Sequence, residues 1–357
     1  MTTSPVPIDS VPINSVPNDW GTVPPAGDLP GGYDRHFPDR AALRAAVRGL
    51  VTGPDWAALT WSELMEALLG LGRTDIGLSR LAEGHVDAVR IADQAGAAVE
   101  PGALYGVWAS RSGATGVRGE VAGAELVLTG TLRFASGAGV IDRALVPVWT
   151  SDDHHLLVDL DTAGLPVDTS GWQTEAMTVS HTHTLVLDGY RVPRDTVRGD
   201  TDFYLDRPGF FPGGVGVAAV WAGGISRVLD TLLAWLGDRR TPAVDLRLGQ
   251  IAVQRALAVA AVRQGGRHLD ALLGASTPPP RAELQHQGTL VRAGVGSAVH
   301  AALDDARTLA GPVGLAFDAP LTHAIADLDL YVRQQNTDGD AAYLGARLRD
   351  RDPADRG

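Results

Sequence analysis

The hydrophobic period of this chain changes twice, and each change restricts what it can fold into. Between Asp39 and Ala95 apolar residues recur every three to four positions. Leu43, Ala46, Val47 and Leu50 mark a first helix, Trp61, Leu64, Leu68 and Leu71 a second, and Ile76, Leu78, Leu81, Val86, Val89 and Ile91 a third. Thr52-Gly-Pro54 and Gly70-Leu-Gly72 are read as the breaks between them. From 102 to 200 the pattern becomes short alternating runs between glycine- and aspartate-rich turns, such as Glu125–Leu128, Ala144–Trp149, His155–Val158 and Thr184–Leu187. That is the signature of an antiparallel barrel or sandwich. After Pro212 helical spacing returns over 214–237, 244–273, 280–310 and 318–347, broken at Arg239-Arg240-Thr-Pro242, Thr277-Pro-Pro-Pro280 and Gly311-Pro312. Four long helices with short connections favour an up-down bundle.

The expected fold class is therefore α+β. A short N-terminal helical domain (31–100) precedes a central antiparallel β-barrel domain (101–205) and a C-terminal four-helix bundle (206–350). Residues 1–30 carry Pro5, Pro7, Pro12, Pro17, Pro24, Pro25 and Pro30 with few large apolar groups, so a disordered or extended arm is expected there. The repeated Val-Pro-Ile at 6–8 and 11–13 reads as low complexity.

Composition removes several chemistries. The chain has 357 residues, enough to bury a sizeable core. It has no cysteine, which excludes disulfides, thiolate metal sites and a cysteine nucleophile. It has no lysine, which excludes Schiff bases on the side chains. The net charge of -12, without a basic cluster, argues against nucleic acid as a partner. No run of about eighteen apolar residues and no targeting pattern is read, so a cytoplasmic protein off the membrane is expected. His181-Thr-His183 falls on a predicted strand with both imidazoles on one side, yet no third ligand lies close in sequence, and no metal site is expected.

Three blocks carry a resemblance. The first is Leu309-Ala-Gly311-Pro312-Val-Gly314-Leu, then Ala319-Pro320, Ala326-Asp327-Leu-Asp-Leu-Tyr331 and Gln335-Asn336-Thr337. The second is Leu128-Thr-Gly-Thr-Leu-Arg-Phe134-Ala-Ser136-Gly-Ala-Gly139, followed by Gly171-Trp172 and by Leu185-Val-Leu-Asp-Gly-Tyr-Arg-Val192-Pro193. The third is Arg239-Arg240-Thr241 with Gln250 downstream. In order and spacing these blocks resemble the acyl-CoA dehydrogenases over residues 70 to 345. In that family a glycine-rich turn touches the flavin nucleotide, an Arg-Asp-x-x-x-Tyr helix follows, and the glutamate of Glu-Gly-Thr abstracts a substrate proton. Here the glutamate's place falls on Gln335, whose amide has nearly the same shape and takes up no proton near neutral pH.

The resemblance implies FAD bound at a subunit interface of a homodimer or homotetramer. It places Ser136 beside the flavin N5 and Phe134 against the ring, although a turn serine and a core phenylalanine explain the same residues. Trp108 and Ser110 stand in the loop that contacts flavin and pantetheine in the family, where only Ser112-Gly113 matches its pattern. Arg239, with Gln250, is placed at the pyrophosphate of a neighbouring subunit. Its alternative is a solvated arginine closing its own helix. Gly311 and Gly314 let backbone approach the cofactor or merely end a helix, and Thr337 matches the motif threonine or caps a helical turn. His85, in Glu83-Gly-His85-Val-Asp87, resembles a histidine of short relatives and is the candidate substitute base, with Gln335 as a hydrogen-bonding wall. The family's other base position maps near Gly213-Gly214, which carries no acid.

Three functions follow. The leading one is an FAD-dependent oxidoreductase acting on a small-molecule or carrier/CoA-bound thioester substrate, with an electron-accepting flavoprotein or oxygen as its partner. The alternatives are a two-component flavin-dependent monooxygenase and a noncatalytic subunit of a heteromer.

Overall fold

The computed structural model describes residues 21–29, 33, 35, 39–151 and 153–350. Among the described residues three helices come first: α1 (Arg40–Val51), α2 (Trp61–Thr74) and α3 (Ile76–Gln94). Each start has a side-chain cap that satisfies a free backbone N–H. Asp39 accepts from the Ala42 N–H, Asp75 from the Leu78 N–H, and Thr60 forms a reciprocal capping box with Glu63. The break expected at Gly70-Leu-Gly72 does not occur, because α2 runs through both glycines to Thr74. Gly72 is instead where α2 meets a bundle helix backbone to backbone, close to the Val220 carbonyl.

Most of the proline-rich arm lies outside the described residues, as does its Val-Pro-Ile repeat. Residues 21–29 pack on the helices: Val23 is fully buried, its carbonyl accepts from Arg73, and Ala26 N–H donates to the Gly70 carbonyl.

Eight strands follow among the described residues: β1 (Tyr105–Val107), β2 (Gly116–Ala122), β3 (Glu125–Ala135), β4 (Arg143–Trp149), β5 (His155–Asp161), β6 (Val167–Asp168), β7 (His183–Pro193) and β8 (Val197–Arg198). They form one sheet in the order β6-β7-β3-β2-β4-β5-β8, with β1 against β4. The sheet is mixed, not antiparallel throughout, since both β1 and β2 pair with β4 in parallel. Alternation within a run fixes which side chains face inward and says nothing about which run lies alongside, so this pairing is invisible in the pattern. β3 is bulged against β7 between Leu128 and Gly130 and again between Leu132 and Ala135. The second bulge re-aims the end of the strand.

The remaining helices are α4 (Phe203–Asp206), α5 (Phe210–Leu236), α6 (Pro242–Leu273), α7 (Arg281–Phe317), α8 (Ala319–Val332) and α9 (Thr337–Asp350). α5 is long and apolar enough to cross a membrane by length and composition, contrary to the reading above, but 72% of its most apolar window is buried in the fold. It packs against α2, α6, α7 and α8. An apolar surface on every side is what such a central position requires. The break expected at Gly311-Pro312 is a kink within α7, where Gly311 leaves helical geometry at φ 58°, ψ -173°. The last predicted helix is divided in two. α8 stops at Val332, and Asn336 starts α9 by accepting the Gly339 N–H on its side chain at 3.1 Å.

Candidate active site

The sheet contributes one wall. Trp108 is buried, and its indole N–H donates to the Ser136 carbonyl at 2.9 Å, tying the end of β1 to the end of β3. The Ser136 hydroxyl joins that of Thr182 at 2.9 Å, which joins that of Ser180 at 2.7 Å. Beneath Ser136 lies a crevice walled by Arg80, Leu81, Gly84 and Ile141 and too tight for a water molecule. Phe134 behaves differently. It sits at the second β3 bulge with φ 60°, a left-handed conformation costly for a bulky residue, and the residue is 46% exposed. Trp172 meets it edge-on at 6.4 Å. Ser110 is half-buried and accepts the Ser112 N–H at 3.3 Å.

The bundle contributes a second group. Gln335, in the corner between α8 and α9, is buried. Its Nε2 donates to Asp340 at 3.1 Å while its Oε1 has no hydrogen-bond partner. That oxygen lies on Gly296 of α7, where a Cβ would overlap it. One turn earlier on α7, Arg292 stacks over Trp221 at 5.0 Å and reaches the Gly214 carbonyl with a long 3.4 Å hydrogen bond. The two base positions inferred from sequence, Gln335 and Gly213-Gly214, therefore converge on a single turn of α7.

A charged stripe on α3 faces the same region and escaped the sequence reading. Glu83 accepts from Arg80 at 2.7 Å and from the Tyr331 hydroxyl at 3.1 Å. Burial pushes the Glu83 carboxyl up against the pull of Arg80, and burial beside Glu83 raises the Tyr331 phenol well above its usual range. Asp87 is also pushed up by burial, with Arg207 3.9 Å away opposing. Glu83, Asp87, Arg90 and Gly213 help line a recess with room for about one water. The signal is in the sequence: Arg80, Glu83, Asp87 and Arg90 recur at i, i+3, i+7 and i+10 and so fall on one face of α3.

His85 is two residues beyond Glu83 and so faces the other way, toward β1. Its Nδ1 accepts the Tyr105 N–H at 3.1 Å, which requires the neutral ring. Burial, with the nearby Arg48 charge adding to it, lowers its pKa from 6.5 to about 4. Between those values the unfolded chain binds a proton that the folded one refuses, so stability present above pH 6.5 declines as the pH falls toward 4. The expected contribution is up to about 3 kcal/mol. Urea denaturation of His85→Gln across this window should give a flatter dependence on pH than the parent; identical slopes would contradict it.

The candidate nucleotide residues are spread over the bundle. Arg239 is exposed, donates to the Leu236 carbonyl at 3.1 Å and to the Trp235 carbonyl, and stacks 3.9 Å over the Trp235 ring. Gly314 packs against the same tryptophan, so Arg239 and Gly314 share a neighbourhood. Gln250 is exposed on α6 and accepts from Arg247 at 3.3 Å, while Gly311 forms the α7 kink. Thr337 is the exposed first residue of α9, and Asn336 performs the capping suggested for it. His181 is not on a strand: it precedes β7 in a left-handed turn, edge-to-face with His183 at 5.7 Å.

No family model matches the chain, and no curated relative is found by sequence. Solved structures do match. FMN-bound TdsC, the dibenzothiophene monooxygenase of Paenibacillus sp. A11-2, superposes with a TM-score of 0.72 at 17% identity, covering 88% of this chain and 91% of that one. Methanesulfinate monooxygenase MsuC from Pseudomonas fluorescens gives 0.71 at 14% identity, with 88% and 90% covered. Butyryl-CoA dehydrogenase from Megasphaera elsdenii gives 0.69 at 15% identity, with 88% and 90% covered. The chain thus has the acyl-CoA dehydrogenase-like fold that these monooxygenases and dehydrogenases share, at low identity.

Proposed function

We propose that the protein is a flavin-dependent oxidoreductase that works as a two-component monooxygenase on a small-molecule substrate. The observation that supports this reading is the absence of an acid at either inferred base position, Gln335 and Gly213-Gly214, in a fold whose sheet would offer a flavin ring a wall. Phe134, held outward at a strained bulge next to Trp172, and the Ser136 hydroxyl, backed by Trp108, suit the face and edge of a flavin ring. A bound flavin would supply the redox chemistry, exchanging a hydride with a partner or passing electrons to oxygen. The chain's own residues would orient the ring, exclude water and hold the substrate.

Proton abstraction next to a thioester needs a positioned base, typically worth about 10²–10⁴-fold. Gln335 offers a neutral amide, and Gly214 faces the cation of Arg292. Oxygen insertion does not call for that base. TdsC and MsuC show that this fold serves oxygen-using enzymes as well as dehydrogenases, and TdsC is seen with FMN. FAD is the flavin proposed here, because Arg239 suits the pyrophosphate that FMN lacks. A homodimer or homotetramer is proposed as well: Leu246, Val253 and Leu257 are 59%, 56% and 58% exposed along α6 beside Gln250, an apolar stripe suited to a second copy.

One observation favours a dehydrogenase instead. Glu83 is a buried carboxyl with a raised pKa close to Gly213, the setting of a relocated base. Anaerobic flavin reduction by butyryl-, octanoyl- and palmitoyl-CoA separates the readings. The parent and Gln335→Glu should both leave the flavin oxidised, whereas supplying reduced FAD and oxygen should incorporate labelled oxygen into a substrate panel that includes indole. Thioester bleaching of the parent flavin would establish the dehydrogenase, whereas bleaching only with Gln335→Glu would show a dehydrogenase site that lacks its base.

A further inference from the structure

We infer that Arg292 is a substrate-anchoring cation, and that the substrate presents an oxyanion, in the first instance a carboxylate, to the turn of α7 on which the two vacated base positions converge. A guanidinium carries five N–H donors. Arg292 uses one, in a 3.4 Å hydrogen bond to the Gly214 carbonyl. Among the described residues no carboxylate forms an ion pair with it. The acids that face it are already engaged: Asp340 accepts from Gln335 Nε2, and Glu83 accepts from Arg80 and Tyr331. Burial disfavours its charge, and Asp340, Tyr331 and Glu83 oppose that effect without outweighing it. A partly buried cation held only by an aromatic face and one long hydrogen bond, with no carboxylate paired to it, is an expensive arrangement unless an anion arrives to complete it.

Two further polar atoms of the same surroundings are idle. Gln335 Oε1 and the Trp221 indole N–H are buried without hydrogen-bond partners. Flipping the Gln335 amide would set its oxygen against the Asp340 carboxylate, so Oε1 stays on the Gly296 side. A bound carboxylate would take paired N–H groups from Arg292, leaving Gln335 Oε1 to accept an N–H or O–H elsewhere on the ligand. Gly214 is required for this placement, since a Cβ there would stand 2.9 Å from Arg292 Cδ. Arg292 remains partly exposed, so a ligand can meet it from solvent. The inference rests on the proposed function only for where the reacting atoms lie. The anion site itself does not depend on flavin.

The test uses the purified full chain before any flavin is added. Acetate, benzoate and benzenesulfonate are titrated at constant ionic strength beside acetamide and benzamide, with tryptophan fluorescence and melting temperature as readouts. Benzoate or acetate should bind saturably and the amides should not; benzenesulfonate shows whether the site takes other oxyanions. Arg292→Met should weaken carboxylate binding by roughly tenfold to a hundredfold, as expected for hydrogen bonds to a charged group. Arg292→Lys should keep part of it, having the charge without the planar fork, and decides the matter if the methionine variant fails to fold. Gln335→Glu, which installs an internal carboxylate at Gly296, one turn of α7 from Arg292, should compete with the ligand to a similar degree. The inference is overturned if no carboxylate binds the parent, if amides bind as tightly as carboxylates, or if both Arg292 variants bind as the parent does. Binding that emerges only in Asp340→Asn would mean that Asp340 is the arginine's true partner, and would overturn it too.

Discussion

Asp327→Ala should destabilise the protein by about 3–5 kcal/mol, the usual consequence of removing one member of a buried ion pair. Asp327 is fully buried on α8. One oxygen accepts the Met177 N–H at 2.6 Å, and Met177 holds a left-handed turn at φ 58° just before β7. The other oxygen pairs with Arg35, which also pairs with Asp75, the cap of α3. One carboxylate thus joins the N-terminal helices, the sheet and the helix that carries Tyr331 toward Gln335. Alanine leaves a buried backbone N–H without an acceptor and half of the Arg35 charge without a partner. Asparagine retains an acceptor for Met177 and should lose a smaller part of the stability. Urea midpoints for the three proteins give the comparison, and an alanine midpoint equal to the parent's would refute the assignment.

Gly72→Ala and Gly223→Ala should each destabilise by about 3 kcal/mol or more, at or beyond the upper end of ordinary overpacking. A Cβ on Gly72 would stand 2.1 Å from the Val220 carbonyl oxygen, and one on Gly223 would stand 2.1 Å from the Leu69 carbonyl oxygen. The obstacle is helix backbone in both cases, so α2 and α5 must move apart. Gly249, in the interior of α6, has nothing within 4 Å of its Cβ position, and Gly249→Ala should be neutral or stabilising by up to about 1 kcal/mol. Thermal melts of the three variants decide it. A Gly72 variant that melts with Gly249→Ala would show that the crossing tolerates a methyl group.

The same glycine shows where the sequence was misread. Two glycines in three residues look like a helix stop when only local propensity is considered. At Gly72 the close approach of another helix, a tertiary fact, explains the residue better. The three-part order of helices, sheet and helices was legible because apolar spacing follows the local period of each element. The parallel pairing of β1 and β2 with β4 was not, since no local pattern records a neighbour. Gln335 was singled out by its motif alone; the fold buries it in the corner between α8 and α9. Arg292 lay hidden because a single arginine among Val291, Val295 and Val299 resembles an ordinary helix-surface charge. Its meaning depends on Gly214, Trp221 and Gln335 arriving from three other segments.

Arg239 has a bearing on time as well as on place. Its guanidinium is already occupied, closing the end of α5 and lying over Trp235. Reaching for a pyrophosphate would mean releasing a helix-end interaction and a cation–π contact, together about 1–2 kcal/mol. That corresponds to roughly a tenfold looser grip on the nucleotide. For a resident prosthetic group this would be a defect. For a protein that receives reduced flavin from a separate reductase and must hand it back oxidised, a short residence time is an advantage, and the flavin would behave as a diffusing co-substrate.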